Sequence, residues 1–187
     1  MGLTVPPALS RYGLPVGALL VGAMVLEGQM RFRPKPFEEL PVKRRALLRS
    51  HDGVQVRVAA LTPAESRDLI GFAIPDDRIQ PVWVQVVNRA DVRWYLPPIT
   101  VDSEYYSPLE VAWLGHRWLT PAINARIDRH LHDLGLPMTV EPGQTRSGFI
   151  FTHRDEGAKY TSIELVGAGH GQVRRFSFLA LSLIHIS

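Results

Sequence analysis

The densest group of side chains that could bind a metal ion in this sequence consists of Asp128, His130, His132 and Asp133. Positions i and i+2 of a helix point in different directions, so one helix cannot bring His130 and His132 to the same ion. Asp128 and His132 are four residues apart and can face each other. The spacing therefore predicts either a metal-binding pair, Asp128 and His132, or an ion pair on the solvent side of a helix.

An acidic group near two tyrosines is a second candidate for chemistry. Paired carboxylates transfer protons or hold Ca²⁺ when they converge in a cleft, and Asp102, Glu104 and Glu110 are close in the sequence. Glu110, however, completes a capping box with Ser107. Ser147 lacks the Gly-x-Ser-x-Gly context of a nucleophile, and the chain has no cysteine. We predict no catalytic residue and no cofactor.

Aromatic residues could line a groove for a carbohydrate or a peptide, because exposed aromatic patches tend to mark interfaces. Large aromatic side chains also pack in cores, and that alternative stays open. The residues predicted to bind a ligand are Trp94, Tyr95, Tyr105 and Tyr106.

The elements that must position these residues are mostly strands. Between residues 79 and 98, the alternation that puts Val82, Val84 and Val86 on one face predicts a central hairpin. Other short alternating runs, separated by turn residues, favour a mainly β fold, an antiparallel Ig-like β-sandwich. The sandwich domain is predicted to span residues 44–180.

Two or three short helices are predicted to pack on the sandwich. Thr62, Ser107 and Thr120 each precede a proline, which is a pattern typical of helix starts. The third helix is predicted to dock on the sheet through an apolar stripe. That stripe consists of Ile123, Ile127, Leu131 and Leu134.

The N-terminal region has the composition of an export or anchoring segment. Residues 12–26 are apolar and uncharged, which suits a secretory signal better than a membrane span of about 20 residues. Residues 1–28 are predicted to be a signal peptide or membrane anchor, and residues 29–43 a basic, proline-rich tether. More lysine and arginine follows the apolar run than precedes it, which favours a cytoplasmic domain; the short run at the N-terminus favours export.

Positive charge is concentrated in the tether and the two residues that follow it. The chain carries a net charge of +3, and residues 29–45 alone carry +4, so the remainder carries −1. No nucleic-acid binding is expected from such a body. We predict that Arg31, Arg33 and Lys35 face anionic lipid headgroups, with a solvated linker as the alternative.

Five segments of the chain, spread over roughly residues 31–180, resemble one bacterial family. They are RFRPKPFEELP (31–41), IQPVWVQVVNR (79–89), YYSPLEVAW (105–113), PGQTRSGFIFT (142–152) and EGAKYTSIELVG (156–167). The family is that of envelope-associated proteins with an LssY C-terminal domain. The phosphatase-like membrane parts of its name-giving protein, its Asp-Pro-x-Asn segment and an anchoring cysteine are missing from this sequence. The resemblance therefore implies a location and a fold, and hardly any chemistry.

Two functions are consistent with these observations. The first is a non-catalytic module, tethered to the membrane of the bacterial cell envelope outside the cytoplasm, that binds another envelope protein or organises an assembly. The second is an accessory or regulatory domain of a phosphatase-like hydrolase, and only the family resemblance supports it.

The last seven residues, 181–187, read LSLIHIS. This string resembles the translation of a transposase adapter used in preparing sequencing libraries. We predict that it is adapter read-through and that the chain is truncated after residue 180. The alternative is a natural strand continuing from Phe178.

Overall fold

The computed structural model describes residues 32–74, 78–116, 120–155, 158–168 and 171–181. Within these ranges the chain forms two four-stranded antiparallel sheets and three α-helices. The strands are β1 (Leu47–His51), β2 (Val54–Ala60), β3 (Ile79–Asn88), β4 (Trp94–Tyr95), β5 (Thr139–Val140), β6 (Thr145–His153), β7 (Ala158–Gly167) and β8 (Val173–Leu181). The helices are α1 (Pro63–Ile70), α2 (Pro108–Gly115) and α3 (Pro121–Leu134).

The first sheet, with strand order β1-β2-β3-β6, is the middle layer of the domain. One of its faces packs against the second sheet, β5-β4-β7-β8, and the opposite face packs against the helices. The outer face of the second sheet is exposed to solvent, where Tyr95, Tyr160 and Leu179 lie. The predicted antiparallel β-sandwich with short helices packed on it is confirmed.

Strand β3 is covered on both faces because it lies in the middle layer. Val82, Val84 and Val86 are fully shielded from solvent in the core between the two sheets. Trp83 lies on the other face and packs with Phe149 in the core beneath the helices. A strand buried on both sides needs apolar residues on both of its faces, which explains why apolar residues fill positions 81–84 of β3 without a break.

The hairpin predicted between residues 79 and 98 does not form. Strand β3 pairs with β2 and β6 in the first sheet, whereas β4 pairs with β5 and β7 in the second. The side chain of Asn88 holds the crossing, because its Nδ2 donates hydrogen bonds to the carbonyl oxygens of Val92 (2.8 Å) and Val140 (3.2 Å). The chain therefore passes from one sheet to the other after β3.

The helices begin where the capping residues predict. Thr62 and Ser107 form reciprocal capping boxes with Glu65 and Glu110, and the Thr120 side chain accepts a hydrogen bond from the backbone N–H three residues later. Helix α3 docks on the first sheet, as predicted. Its apolar stripe consists of the buried Ile123, Ile127 and Leu131 and the partly buried Leu134.

Residues 32–43 are part of the folded domain rather than a free tether. Phe32, Leu40 and Val42 are buried in the core beneath the helices. Removing such apolar side chains from water is favourable, so the segment packs on the domain although its prolines and charges suggest a linker. The folded domain therefore starts before the predicted boundary at residue 44.

Residues 1–31 and 182–187 lie outside the described ranges. The predictions for the apolar run, for Arg31 and for most of the adapter-like tail concern these residues. Strand β8 ends at Leu181, the first residue of that tail. In the part of the chain that the structure describes, no helix is both long enough and apolar enough to cross a membrane.

Candidate functional site

Helix α2 presents large apolar side chains to solvent. Trp113 is 61% exposed, Leu109 is 49% exposed, and Leu114 is also exposed. On the other side of the helix, Val111 and Ala112 are buried. A helix that is apolar on all sides is normally enclosed, so the exposed side of α2 is an unusual surface. We call Leu109, Trp113 and Leu114 the α2 face.

Local interactions fix both ends of α2. The N–H of Ser107 donates to Oε2 of Glu110 at 2.6 Å, and the N–H of Glu110 donates to Oγ of Ser107 at 3.2 Å. The hydrogen bonds from the backbone and hydroxyl of Ser107 lower the pKa of Glu110, because they favour its charged form. At the other end, a Cβ on Gly115 would lie 2.8 Å from the ring of Phe72. The α2 face thus stands on a closely packed support.

A groove of about 550 Å³ lies between α2 and α3. Its lining consists of Ser107, Pro108, Leu109, Ala125, Asp128, Arg129 and His132. Leu109 belongs to both the groove and the α2 face, so the two form one continuous surface. Apolar side chains flanked by polar and charged ones are typical of surfaces that bind proteins.

The predicted metal-binding pair, Asp128 and His132, lies in this groove. The Oδ1 atom of Asp128 is 2.8 Å from Nε2 of His116, the residue that caps the end of α2, so this contact links α2 to α3. Across the described ranges, no three His, Cys, Asp or Glu side chains are arranged to hold a metal ion. Metal binding therefore stays a prediction, in which Asp128 and His132 are the two protein ligands.

The four aromatic residues predicted to bind a ligand do not form one surface. Trp94 is 1% exposed in the core between the sheets, and the Arg174 guanidinium lies 5.8 Å from its ring centroid. Tyr95, the next residue of β4, is exposed on the outer face of the second sheet. Successive residues of a strand point to opposite faces. The predicted ligand contact is therefore wrong for Trp94, which is a core residue.

Tyr105 and Tyr106 precede α2 and have different surroundings. Tyr105 is exposed, and it stays a candidate contact because it leads into α2. The hydroxyl of Tyr106 lies 3.2 Å from Nδ1 of His153, and its N–H donates to the carbonyl of Phe151 at 2.7 Å. Tyr106 therefore anchors the start of α2 to β6.

A buried lysine organises the groups around His153. The side chain of Lys159 is 3% exposed, and its Nζ lies 3.0 Å from Oδ2 of Asp102, 2.7 Å from the carbonyl oxygen of His153 and 3.1 Å from Oδ2 of Asp155. Three acceptors match the three N–H groups of an ammonium. We call Lys159, Asp102, His153 and Asp155 the Lys159 cluster. It joins β6, β7 and the loop before α2.

Asp102 has a pKa below its ordinary value. Burial raises the pKa of this carboxyl, but hydrogen bonds from the N–H of Glu104, the ammonium of Lys159 and the N–H of His153 outweigh that effect. The predicted acidic group does not converge on a cleft, because Asp102 is engaged with Lys159 and Glu110 caps α2.

The Asp102→Asn variant is expected to be less stable at neutral pH and less sensitive to acid. A carboxyl whose pKa is lower in the folded state stabilises the fold above its unfolded pKa, about 3.9, and this stabilisation is lost as the pH falls through the folded pKa. The wild-type free energy of unfolding should therefore fall in acid, with a slope steeper than that of the variant by at most about 1.4 kcal/mol per pH unit. Urea unfolding at a series of acidic pH values measures both slopes.

The matched control for this prediction is Glu104→Gln, which removes an exposed carboxylate from the same loop. This control should keep the wild-type slope. If Asp102→Asn also keeps it, the contact with Lys159 is not a source of acid sensitivity.

The predicted membrane-facing cations lie at the start of the described chain. Arg33 is exposed, and Nζ of Lys35 lies 2.9 Å from Oδ2 of Asp68. The exposed Arg126 of α3 has its guanidinium 5.6 Å from the ring centroid of Phe32. The fold thus brings a further cation, distant in sequence, to the same segment.

The sequence contains a signal for Lys159 but none for the α2 face. Lys159 occupies the same alternate positions of β7 as the buried Thr161, Ile163 and Leu165, so its place in that pattern indicates a buried charge. Apolar residues all around α2 instead predict a buried helix. Only the structure shows that one side of it is open.

Comparisons with known proteins do not assign the chain to a family. No family model matches it, and no curated protein matches it. Among solved structures, it is similar to a FixG-related protein from Vibrio parahaemolyticus, with 8% identity and a TM-score of 0.35 over 72% of this chain and 100% of that chain. A likeness of this size gives no basis for transferring a function.

Proposed function

We propose that this protein is a non-catalytic interaction module of the bacterial cell envelope and that it binds another envelope protein through the α2 face. The observation that carries the proposal is the exposure of Trp113 beside Leu109 and Leu114 on a helix whose other side is already packed. Tryptophan is enriched among the residues that dominate binding energy at interfaces. Arg129 and His132 supply polar groups at the edge of the same surface.

The proposal includes a membrane tether and a position outside the cytoplasm. The apolar run at residues 12–26 supports the tether. The resemblance to proteins with an LssY C-terminal domain supports the envelope location. A non-catalytic role agrees with the Lys159 cluster, whose ammonium and carboxylates are engaged with one another.

The Trp113→Ala variant is expected to bind the partner about 30-fold more weakly, which corresponds to about 2 kcal/mol for an interface tryptophan. Its free energy of unfolding should change by less than about 0.5 kcal/mol, because the side chain is mostly exposed. The partner is identified in intact cells by photo-crosslinking from p-benzoylphenylalanine placed at Leu109. Titration of the purified partner then measures both affinities.

Tyr160 provides the matched control, since it is 59% exposed on the outer face of the second sheet. The photoreactive residue at position 160 should give no adduct with the same partner, and Tyr160→Ala should bind it as the wild type does. The proposal fails if both positions yield the same adducts, or if Trp113→Ala binds as tightly as the wild type.

A further inference from the structure

Residues 32–35, the first that the structure describes, pack at a fixed place on the helical layer. Phe32 is 5% exposed and lies edge-on to His130 of α3, with 5.7 Å between the ring centroids. The guanidinium of Arg126, also on α3, lies 5.6 Å from the centroid of the same ring. Phe32 is therefore held by the middle of α3.

Backbone hydrogen bonds hold the next residues against the end of α1. The N–H of Arg33 donates to the carbonyl of Gly71 at 2.8 Å, and the N–H of Lys35 donates to the carbonyl of Asp68 at 2.7 Å. A Cβ on Gly71 would lie only 2.5 Å from the nitrogen of Pro34, so the segment lies this close because Gly71 has no side chain. The place where the chain joins the domain is thus set by packing.

A short stretch separates this place from the apolar run. Leu26 is six residues before Phe32. A chain spans at most about 3.6 Å per residue, so the two residues lie within about 22 Å of each other in any conformation. If the apolar run is in a bilayer, the surface around Phe32 lies within about 22 Å of Leu26 and can reach the lipid headgroups.

We propose that this surface binds anionic phospholipid headgroups, an inference that rests on the membrane tether of the proposed function. The cations on it are Arg33, Lys35 and Arg126, all of them exposed. Lys35 is partly neutralised by Asp68, which leaves the two arginines as the main contacts. A guanidinium can form two parallel hydrogen bonds with a phosphate group. We call these three residues the N-terminal face.

A bilayer fits this surface better than a small ligand does. The three cations come from two separate parts of the chain, residues 33–35 and α3, and they lie on the exterior of the helical layer. Attraction to an anionic bilayer adds up over such dispersed cations and falls off within about one Debye length, about 8–10 Å. The short link to the apolar run keeps the face within reach of such a surface.

The test uses the whole 187-residue chain reconstituted in vesicles. Because the sequence has no cysteine, one fluorescent label can be placed at a time. Ala122→Cys labels the exposed side of α3 one turn before Arg126, and Ser177→Cys labels the outer face of the second sheet as the matched control. Lipids with a nitroxide on the headgroup quench a label that lies at the bilayer surface.

In vesicles of phosphatidylcholine with phosphatidylglycerol, we expect the label at position 122 to be quenched and the label at position 177 to remain unquenched. Quenching at position 122 should fall in phosphatidylcholine alone and in high salt, because both weaken the attraction. Arg126→Gln should weaken the headgroup contact about fivefold, the factor expected for one cation near an anionic membrane.

Other outcomes separate the inference from the proposed function. In two cases the protein floats with the vesicles but the inference fails: both labels are quenched equally, or the label at position 122 is not quenched. Either result refutes headgroup binding by the N-terminal face and leaves the tether standing. Quenching that is independent of phosphatidylglycerol overturns the role of the cations. If the 187-residue chain does not float with the vesicles, the tether fails and this inference fails with it.

Discussion

The Val84→Asp variant is expected to be unfolded under conditions in which the wild type is folded. Val84 is fully shielded from solvent at the centre of β3, where it faces Val58 of β2 and Gly148 of β6 in register. An unpaired carboxylate in such a core costs on the order of 5 kcal/mol, which is comparable with the total stability of a typical domain, about 5–15 kcal/mol. Far-ultraviolet circular dichroism and urea unfolding should show no cooperative transition.

The same substitution at an exposed strand position gives the matched control. Val173 of β8 is 50% exposed, so Val173→Asp should change the melting temperature little. A wild-type melting temperature for Val84→Asp would mean that the inner face of β3 has been assigned incorrectly.

The Gly71→Ala variant is expected to lose on the order of 3 kcal/mol or more of its free energy of unfolding. Gly71 has a φ of +83°, and its added Cβ would lie 2.5 Å from the nitrogen and 2.8 Å from Cα of Pro34. The left-handed conformation alone costs an alanine about 1–2 kcal/mol. The clash is with backbone atoms, so the segment that carries Phe32 must move away from α1. Urea unfolding measures the loss.

Gly143→Ala separates the two contributions. Gly143 has a φ of +75° and nothing within 4 Å of the position of an added Cβ, so this variant should lose only the cost of the conformation, about 1–2 kcal/mol. Equal losses in the two variants would show that the contact between Gly71 and Pro34 contributes nothing to stability.

Local sequence rules predicted the helices and the strand faces well. Thr62, Ser107 and Thr120 begin helices because a side-chain oxygen beside a proline satisfies backbone N–H groups that have no partner inside the helix. The alternation around Val84 put Val82, Val84 and Val86 on one face of β3, and all three lie in the core between the sheets. These features depend on residues only a few positions apart, so one sequence is enough to find them.

Pairings between distant residues were beyond the sequence. Alternation shows that residues 79–88 and 94–95 are extended, but not that they belong to different sheets. Among the site residues, Asp128 and His132, which are four positions apart, line the same groove, and their binding of a metal stays a prediction. Trp94 was misplaced because its burial depends on the packing of the second sheet. Trp113 is exposed because, among the described residues, no element covers that side of α2.

The pairing of β3 with β6 also determines the order in which the domain can be completed during synthesis. Residues 79–88 leave the ribosome well before residues 145–153, and β4, α2, α3 and β5 lie between them in the chain. At a synthesis rate of roughly 5–20 residues per second, one edge of β3 waits some seconds for its partner strand. During that interval the nascent chain exposes an unpaired apolar strand, which is the kind of intermediate that chaperones bind.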